Sequence, residues 1–272
     1  MTADAQLSLP TLFVSHGAPD LVIRDIAANR FLRGSVSDWP EPKAILVVSA
    51  HFEADVPTLT TDPAPETVYD FGGFDQALRD IVYPAPGAVE VSNQAADLLA
   101  AAGFAPRIVE TRGFDHGVWT PLHLMYPEAD IPVAQLSVSP DAGADWHFRI
   151  GQALAPLRQQ GVLIVGSGAA THNLEAFFRG GYDVDATPPD WVDAFADWLR
   201  EKIEQGDTEA LIDYRNAPHG ADNHPTEEHL MPLYVAIGAA TNGSRTPGRR
   251  LHTSTDRGVI KMDAFAFGDS PA

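Results

Sequence analysis

The sequence predicts an α/β fold, a single domain with a central, mainly parallel or mixed sheet flanked by helices. Three observations predict it. The strongest apolar runs are continuous rather than alternating, as in strands that are buried on both faces. Patterns of helical period lie between those runs, as in βαβ units. The 272 residues, 44% of them hydrophobic, suit one domain with a large core, so we expect residues 1–272 to form a single domain.

Five short apolar runs, bounded by Gly, Pro or polar clusters, predict the strands. They are TLFVS (11–15), AILVVSA (44–50), RIVE (107–110), IPVAQLSV (131–138) and VLIVGSG (162–168). A weaker strand, GVIKMDAFAF (258–267), is expected in the C-terminal tail.

Four segments between or after these runs carry apolar residues at helical spacing. They cover residues 89–103, 145–161, 190–206 and 226–241. The first three end at a glycine, which commonly terminates a helix. The fourth begins at Thr226, a suitable N-cap residue, and has two glutamates in its predicted first turn.

Composition narrows the classes of partner and chemistry. The 37 acidic and 18 basic residues give a net charge of -19, which would repel nucleic acid and anionic membranes, so we predict neither as a partner. The absence of cysteine excludes disulfides, thiolate metal sites and cysteine nucleophiles. The N-terminus has no signal-peptide pattern, and no apolar run reaches the roughly 18 residues of a membrane span. These features favour a soluble, cytoplasmic protein.

Three of the ten histidines follow strongly predicted strands. His16 comes directly after the first strand, His51 directly after the second, and His172 shortly after the run at 162–168. Because ligands of open α/β sheets bind outside the carboxyl ends of the strands, we expect these imidazoles to meet at one edge. A single histidine in such a place is more often a surface or core residue. The repetition of the pattern, beside small residues that let backbone approach a ligand, is what indicates a metal site.

Two other segments hold titratable side chains. GFDHGVW places His116 after Asp115 in a glycine-flanked turn, and NHPTEEHLMP places Glu228 and His229 together at a predicted helix start. Since a helix N-terminus disfavours a cation, ligation from the second segment requires its side chains to outweigh the helix dipole. The alternative for that segment is a solvated acidic first turn.

Several familiar catalytic motifs are missing. The chain has no HExxH helix, and the glycine-rich VGSGAATHN lacks the GK[ST] ending of a phosphate-binding loop. Neither SHG nor SAH matches the GxSxG pattern of a serine nucleophile, which argues against serine hydrolysis.

A longer series of motifs connects these residues to a known family. In order, they are FVSHGAPD, ILVVSAHFE, YDFGGFDQALRDIVYPAPG, GFDHGVWTPLHLMYPEADIPVAQLSV, WHFRIGQAL, GSGAATHNL and PTEEHLMPL. This series resembles the DODA-type extradiol aromatic ring-opening dioxygenases, a branch of the LigB-like superfamily whose plant members open the ring of L-DOPA. The resemblance covers about residues 9–240. It implies an α/β catalytic domain with one non-haem metal ion.

The resemblance also assigns roles to individual residues. His16, His51 and His229 fall on its metal-ligand positions, and Glu228 is the alternative to His229 as third ligand. His172 falls on the position of a fourth ligand or a base, and His116 on that of an acid/base histidine. Histidine suits proton transfer because its ordinary pKa lies near neutrality.

The implied reaction inserts O2 into a catechol-type aromatic, for example L-DOPA or a protocatechuate-like compound, and gives a semialdehyde. His172 would remove a catechol proton and His116 would act as the acid. The metal would be Fe(II) for activity or Zn(II) as isolated. The aromatic candidates for a pocket wall are Tyr69, Phe71, Phe74, Trp119 and Tyr126.

Two other functions compete with this one. A zinc hydrolase of a small amide or ester would use a metal-bound water, with Glu228 or His172 as base. A non-enzymatic, metal-binding interaction protein of the same superfamily is the other, and the presence of His116 and His172 argues against it. The sequence leaves the particular substrate, the choice between Fe and Zn, and the oligomeric state open.

Overall fold

The computed structural model describes residues 9–241 and 246–268. The strands within these residues are β1 (Thr11–Ser15), β2 (Ala44–Glu53), β3 (Thr58–Thr60), β4 (Arg107–Val109), β5 (Val133–Val138), β6 (Val162–Gly168), β7 (Gly248–His252), β8 (Thr255–Asp256), β9 (Ile260–Lys261) and β10 (Ala264–Phe267). The α-helices are α1 (Ala27–Gly34), α2 (Val89–Ala101), α3 (His116–Met125), α4 (Gly143–Leu154), α5 (Leu174–Arg179), α6 (Asp190–Gln205), α7 (Thr208–Ile212), α8 (Gly220–Asn223) and α9 (Met231–Ala240).

Eight of the strands form one mixed sheet in the order β4-β3-β5-β2-β6-β1-β10-β7. The four central strands, β5, β2, β6 and β1, are parallel to one another, whereas β10 is antiparallel to both β1 and β7. Ser49 of β2 is paired with Ser167 of β6, and Ser15 of β1 with Gly168. The carboxyl ends of β1 and β6 therefore lie at one level, and β2 continues past it to Glu53. The predicted mainly parallel or mixed sheet is confirmed.

The sheet is buried on both faces. Leu46 and Val48 of β2 point into a core formed with α2, α4, α6 and α9. Their neighbours Ile45 and Val47 point into a second core formed with α1 and α3. Alternate residues of one strand enter two different cores, and this is why the strand sequence is apolar throughout rather than alternating.

The fourth predicted helix begins later than expected. Thr226 does not cap it, because α9 starts at Met231 and residues 226–230 form turns. Pro232 lies in the first turn of α9, where a missing N–H costs nothing. A helix that began at Thr226 would have placed this proline in its interior and lost a backbone hydrogen bond.

The short elements are those that the apolar pattern missed. Strands β3, β7 and β8 and helices α1, α3, α5, α7 and α8 were not predicted, whereas the tail pattern at 258–267 corresponds to β9 and β10. In the part of the chain that the structure describes, every helix is too short or too polar to cross a lipid bilayer.

Candidate metal centre

Two parallel strands deliver the first pair of histidines. His16 directly follows β1, and its backbone N–H donates to the Gly168 carbonyl at 3.0 Å. His51 lies inside β2, which runs three residues further than predicted. The pairing of β2 with β5 shifts register between Ser49 and Glu53, so His51 sits in an irregular stretch at the end of the strand. Both imidazoles therefore lie at the carboxyl edge of the sheet, as predicted.

His229 reaches the same edge from the turn before α9. The Ala169 N–H donates to the His229 carbonyl at 2.9 Å, which fixes this turn against the end of β6. A Cβ at Gly168 would lie 2.0 Å from that carbonyl oxygen, so only glycine fits here. The small residues after β6 were expected to admit the backbone near a ligand, and the backbone they admit is that of His229.

The rings of the three predicted ligands form a nearly equilateral triangle. Ring centroids are 4.9 Å apart for His16 and His51, 4.9 Å for His51 and His229, and 5.3 Å for His16 and His229. The Nε2 atoms of His16 and His51 are 3.0 Å apart. Two nitrogens that bind one ion at about 2.1 Å lie about 3.0 Å apart when they are at right angles and about 3.4 Å apart in a tetrahedral site, so this spacing fits a shared metal.

The outer nitrogens of these rings have partners that define their protonation. Ser167 Oγ donates its proton to the Gly117 carbonyl, so it can only accept a hydrogen bond from His16 Nδ1–H, which lies 3.0 Å away. His229 Nδ1 likewise donates to Glu228 Oε1 at 2.9 Å. In both rings the lone pair is therefore on Nε2. Metal-bound histidines typically donate their second nitrogen to an oxygen in this way.

Burial keeps the cluster neutral. It lowers the pKa of His51 to about 3, with a further contribution from His116 and opposition from Asp70. The pKa values of His16 and His229 also lie well below the ordinary value, because of burial first and repulsion from neighbouring imidazoles second. Unprotonated imidazoles at neutral pH are what a divalent cation requires. Three neutral nitrogens without any thiolate suit Fe(II) or Zn(II).

The two predicted proton-transfer residues lie beside the ligand triangle. His116 is the first residue of α3 rather than part of a turn, and its ring centroid is 3.9 Å from that of His51. His172 stacks on His229 with centroids 3.4 Å apart and an angle of 15° between the rings. Its buried Nδ1 has no hydrogen-bond partner among the described residues and lies 3.7 Å from Glu228 Oε1.

The potential ligand atoms fall into two adjoining groups. In the described part of the chain, atoms within 4.8 Å of one another belong either to His16, His51 and His116 or to His172, Glu228 and His229. The predicted ligands are divided between the two groups. All six side chains line the same cavity, however, so every predicted site residue is brought together.

Aromatic side chains close the rest of this cavity, which has a volume of about 360 Å³. Phe71 and Phe74, both predicted, line it, and Tyr69 and Trp119 pack behind Phe71. Tyr126 lies instead in a separate groove. The sequence analysis missed three lining residues of α5, and they are Leu174, Phe177 and Phe178. The adjacent phenylalanines soon after His172 were the available signal.

Asp70 and Ser167 were also missed. Both touch site histidines, and Asp70 lies in the YDFGGF motif. His224, by contrast, lies behind the cavity, where its Nε2 contacts the Ala170 carbonyl at 3.0 Å. It supports the loop that leads to His172.

Comparison with known proteins agrees with the site. A family model for the catalytic LigB subunit of aromatic ring-opening dioxygenase matches residues 27–257. A Beta vulgaris protein named 4,5-DOPA dioxygenase extradiol is 42% identical, covering 94% of this chain and 96% of that protein. An Escherichia coli (strain K12) protein of the same name is 39% identical, covering 85% of each.

A solved structure gives the same result for the fold. The crystal structure of an uncharacterized protein from Escherichia coli K12 matches with a TM-score of 0.80 and 33% identity. The match covers 96% of this chain and 100% of that one. The family resemblance of the sequence motifs is thereby confirmed. The chain belongs to the LigB family of aromatic ring-opening dioxygenases and is an extradiol aromatic dioxygenase.

Proposed function

We propose that this protein uses Fe(II) to open the ring of a catechol, such as L-DOPA or a protocatechuate-like compound, and releases a semialdehyde. One observation carries the proposal: the Nε2 atoms of His16 and His51 face each other at 3.0 Å, and His16 presents a lone pair there. Two imidazole nitrogens this close together are stable only when a cation or a proton lies between them. Relatives named 4,5-DOPA dioxygenase extradiol support L-DOPA as the first substrate to test.

His16, His51 and His229 are the proposed metal ligands. Glu228 then acts on the metal through His229, because its Oε1 accepts the Nδ1–H of that ring. The same carboxylate oxygen also accepts a hydrogen bond from Thr226 Oγ1 at 2.9 Å. A carboxylate held by two donors is better suited to orienting His229 than to replacing it.

The proposed chemistry divides between the metal and the protein. Bound Fe(II) supplies a redox-active centre that couples an electron-rich ring to O2. His172 accepts a proton from a catechol hydroxyl, since its ring is neutral and its Nδ1 has no hydrogen-bond partner within residues 9–241 and 246–268. His116 lines the cavity with the other group of ligand atoms, and it takes up a second proton released by the catechol and returns it as the ring opens. Burial first, and then His224, lower the pKa of His172 to about 4, although Glu228 opposes this.

The walls of the cavity suit a single aromatic ring. Phe71, Phe74 and Phe177 line it together with the imidazoles, and a volume of about 360 Å³ holds a small aromatic molecule. These apolar groups would orient the ring and exclude water from it. We propose Zn(II) as a second metal that the isolated protein holds without turnover, because imidazole nitrogens are also ligands of zinc.

The test is metal reconstitution without oxygen. Metal-free protein is loaded anaerobically with Fe(II) or with Zn(II), then mixed with L-DOPA, protocatechuate and other catechols. Oxygen is admitted, and its uptake and the yellow semialdehyde absorbance are followed. We expect oxygen uptake only with iron and a catechol. Tight metal binding without oxygen uptake on any catechol would contradict the proposal and favour zinc-dependent hydrolysis of an amide or ester.

A further inference from the structure

The carboxylate of Asp70 is hydrogen-bonded to the proposed acid, His116, and lies close to the proposed metal ligand His51. Asp70 Oδ1 accepts hydrogen bonds from the backbone N–H of His116 at 3.0 Å and from His116 Nδ1 at 2.9 Å. Its second oxygen, Oδ2, lies 3.8 Å from His51 Nδ1. No other carboxylate in the described residues contacts both of these rings.

The loop that carries Asp70 is fixed to the start of α3. The Val68 N–H donates to the Phe114 carbonyl at 2.8 Å, and Trp119 Nε1 donates to the Val68 carbonyl at 3.0 Å. On the other side, Tyr69 Oη donates to the Ile81 carbonyl at 2.9 Å. Three hydrogen bonds made by the two residues before Asp70 therefore fix the backbone that carries this partly exposed carboxylate.

The hydrogen bond to Asp70 Oδ1 determines which nitrogen of the His116 ring is protonated. A carboxylate oxygen only accepts, so His116 Nδ1 must carry a proton, and Nε2 is left as the nitrogen that faces a substrate. We propose that Asp70 is a positioning residue that holds His116 in the Nδ1–H tautomer, with its ring beside His51, so that Nε2 first accepts a proton released by the catechol and then donates it. This inference rests on the proposed function, in which His116 is the acid.

The tautomer can be measured without turnover. Protein labelled with ¹⁵N-histidine, metal-free and zinc-loaded, gives the imidazole nitrogen shifts of His116, assigned by their loss in His116→Ala. In the unaltered protein we expect Nδ1 protonated and Nε2 bare, and in Asp70→Ala a mixture of tautomers. Asp75→Ala is the matched control, because Asp75 is an exposed acid on the same loop whose carboxylate, among the described residues, accepts a hydrogen bond only from the Ala77 N–H. An unchanged His116 tautomer in Asp70→Ala would overturn the proposal.

Turnover gives a second, independent test. Asp70→Asn keeps an oxygen for both His116 donors but removes the charge, and we expect kcat to fall about 10–100-fold with KM and metal content unchanged. In a His116→Ala background Asp70→Asn should not lower kcat any further, since Asp70 acts through His116. If Asp70→Asn lowered kcat by the same factor in the unaltered protein and in His116→Ala, the proposal would be overturned. If the iron-loaded protein opens no catechol at all, the proposed function fails, and the tautomer measurement still decides the role of Asp70.

Discussion

Ser167 Oγ lies 3.0 Å from His16 Nδ1 and donates its own proton to the Gly117 carbonyl. A buried serine of β6 thus sets the protonation of the histidine that follows β1. The two strands are paired in parallel with Val14 opposite Ser167, so the contact is a direct result of sheet register.

Ser167→Ala should weaken metal binding. Without the serine oxygen, His16 Nδ1 loses its acceptor, and the tautomer with a bare Nε2 loses its preference. We expect metal affinity to fall about 10–100-fold, measured by competition with a chelator. Ser92→Ala is the matched control, because Ser92 is also buried but lies in α2 and its hydroxyl has no partner among the described residues. Equal affinities for the two variants would contradict this account of Ser167.

The third ligand can be identified by comparing His229→Ala with Glu228→Gln. If Nε2 of His229 binds the metal, the alanine variant should lose at least about 100-fold in affinity. The glutamine variant should lose less, because its amide oxygen can still accept the His229 Nδ1–H. The measurement is metal content after dialysis, with titration of the metal-free proteins. A larger loss in Glu228→Gln than in His229→Ala would make Glu228 the ligand.

Single substitutions should distinguish the residues that bind the metal from those that transfer protons. His51→Ala removes a proposed ligand, so we expect metal and activity to be lost together. His116→Ala should retain the metal but reduce kcat by about 10²–10⁴-fold, the usual cost of losing an acid/base group. Metal analysis and oxygen uptake on the same samples check both statements. Normal catechol turnover by His116→Ala would show that another group is the acid.

The site residues whose positions depend on the parallel sheet were the ones that could be predicted from the strand pattern. His16 and His51 could be placed together because continuous apolar runs indicate parallel, doubly buried strands, and their carboxyl ends share an edge. His229 could not be placed from strand pattern, since it depends on a turn that packs against Gly168. Its place in the site came from the motif resemblance alone.

Loop conformation explains most of what was missed. Asp70 reaches His116 across 46 residues of sequence, and no local periodicity signals such a contact. Phe177 and Phe178 lie on a helix of six residues, too short to show a helical pattern. The start of α9 was misplaced because Thr226 and the two glutamates resemble an N-terminal cap, whereas Pro232 decides where the helix begins.

Acid should destabilise the metal-free protein partly through His147, which lies away from the cavity. Its Nε2 accepts from the Ser139 N–H at 3.0 Å, and its Nδ1 donates to the Gly143 carbonyl at 2.7 Å. Burial lowers its pKa to about 4, although the hydrogen bond to Gly143 opposes this. In the unfolded chain the pKa returns to about 6.5, so the unfolded state binds a proton first as the pH falls.

The contribution of His147 to stability is therefore complete above about pH 6.5 and is lost as the pH falls toward 4. A difference of about 2.5 pKa units corresponds to at most about 3.4 kcal/mol. His147→Gln should be less stable than the unaltered protein at pH 7.5, and this gap should narrow by up to that amount at pH 4.5. Urea unfolding of both metal-free proteins across this range measures the gap, and the other buried histidines cancel because both proteins contain them. A gap that stays constant with pH would mean that His147 does not titrate on unfolding.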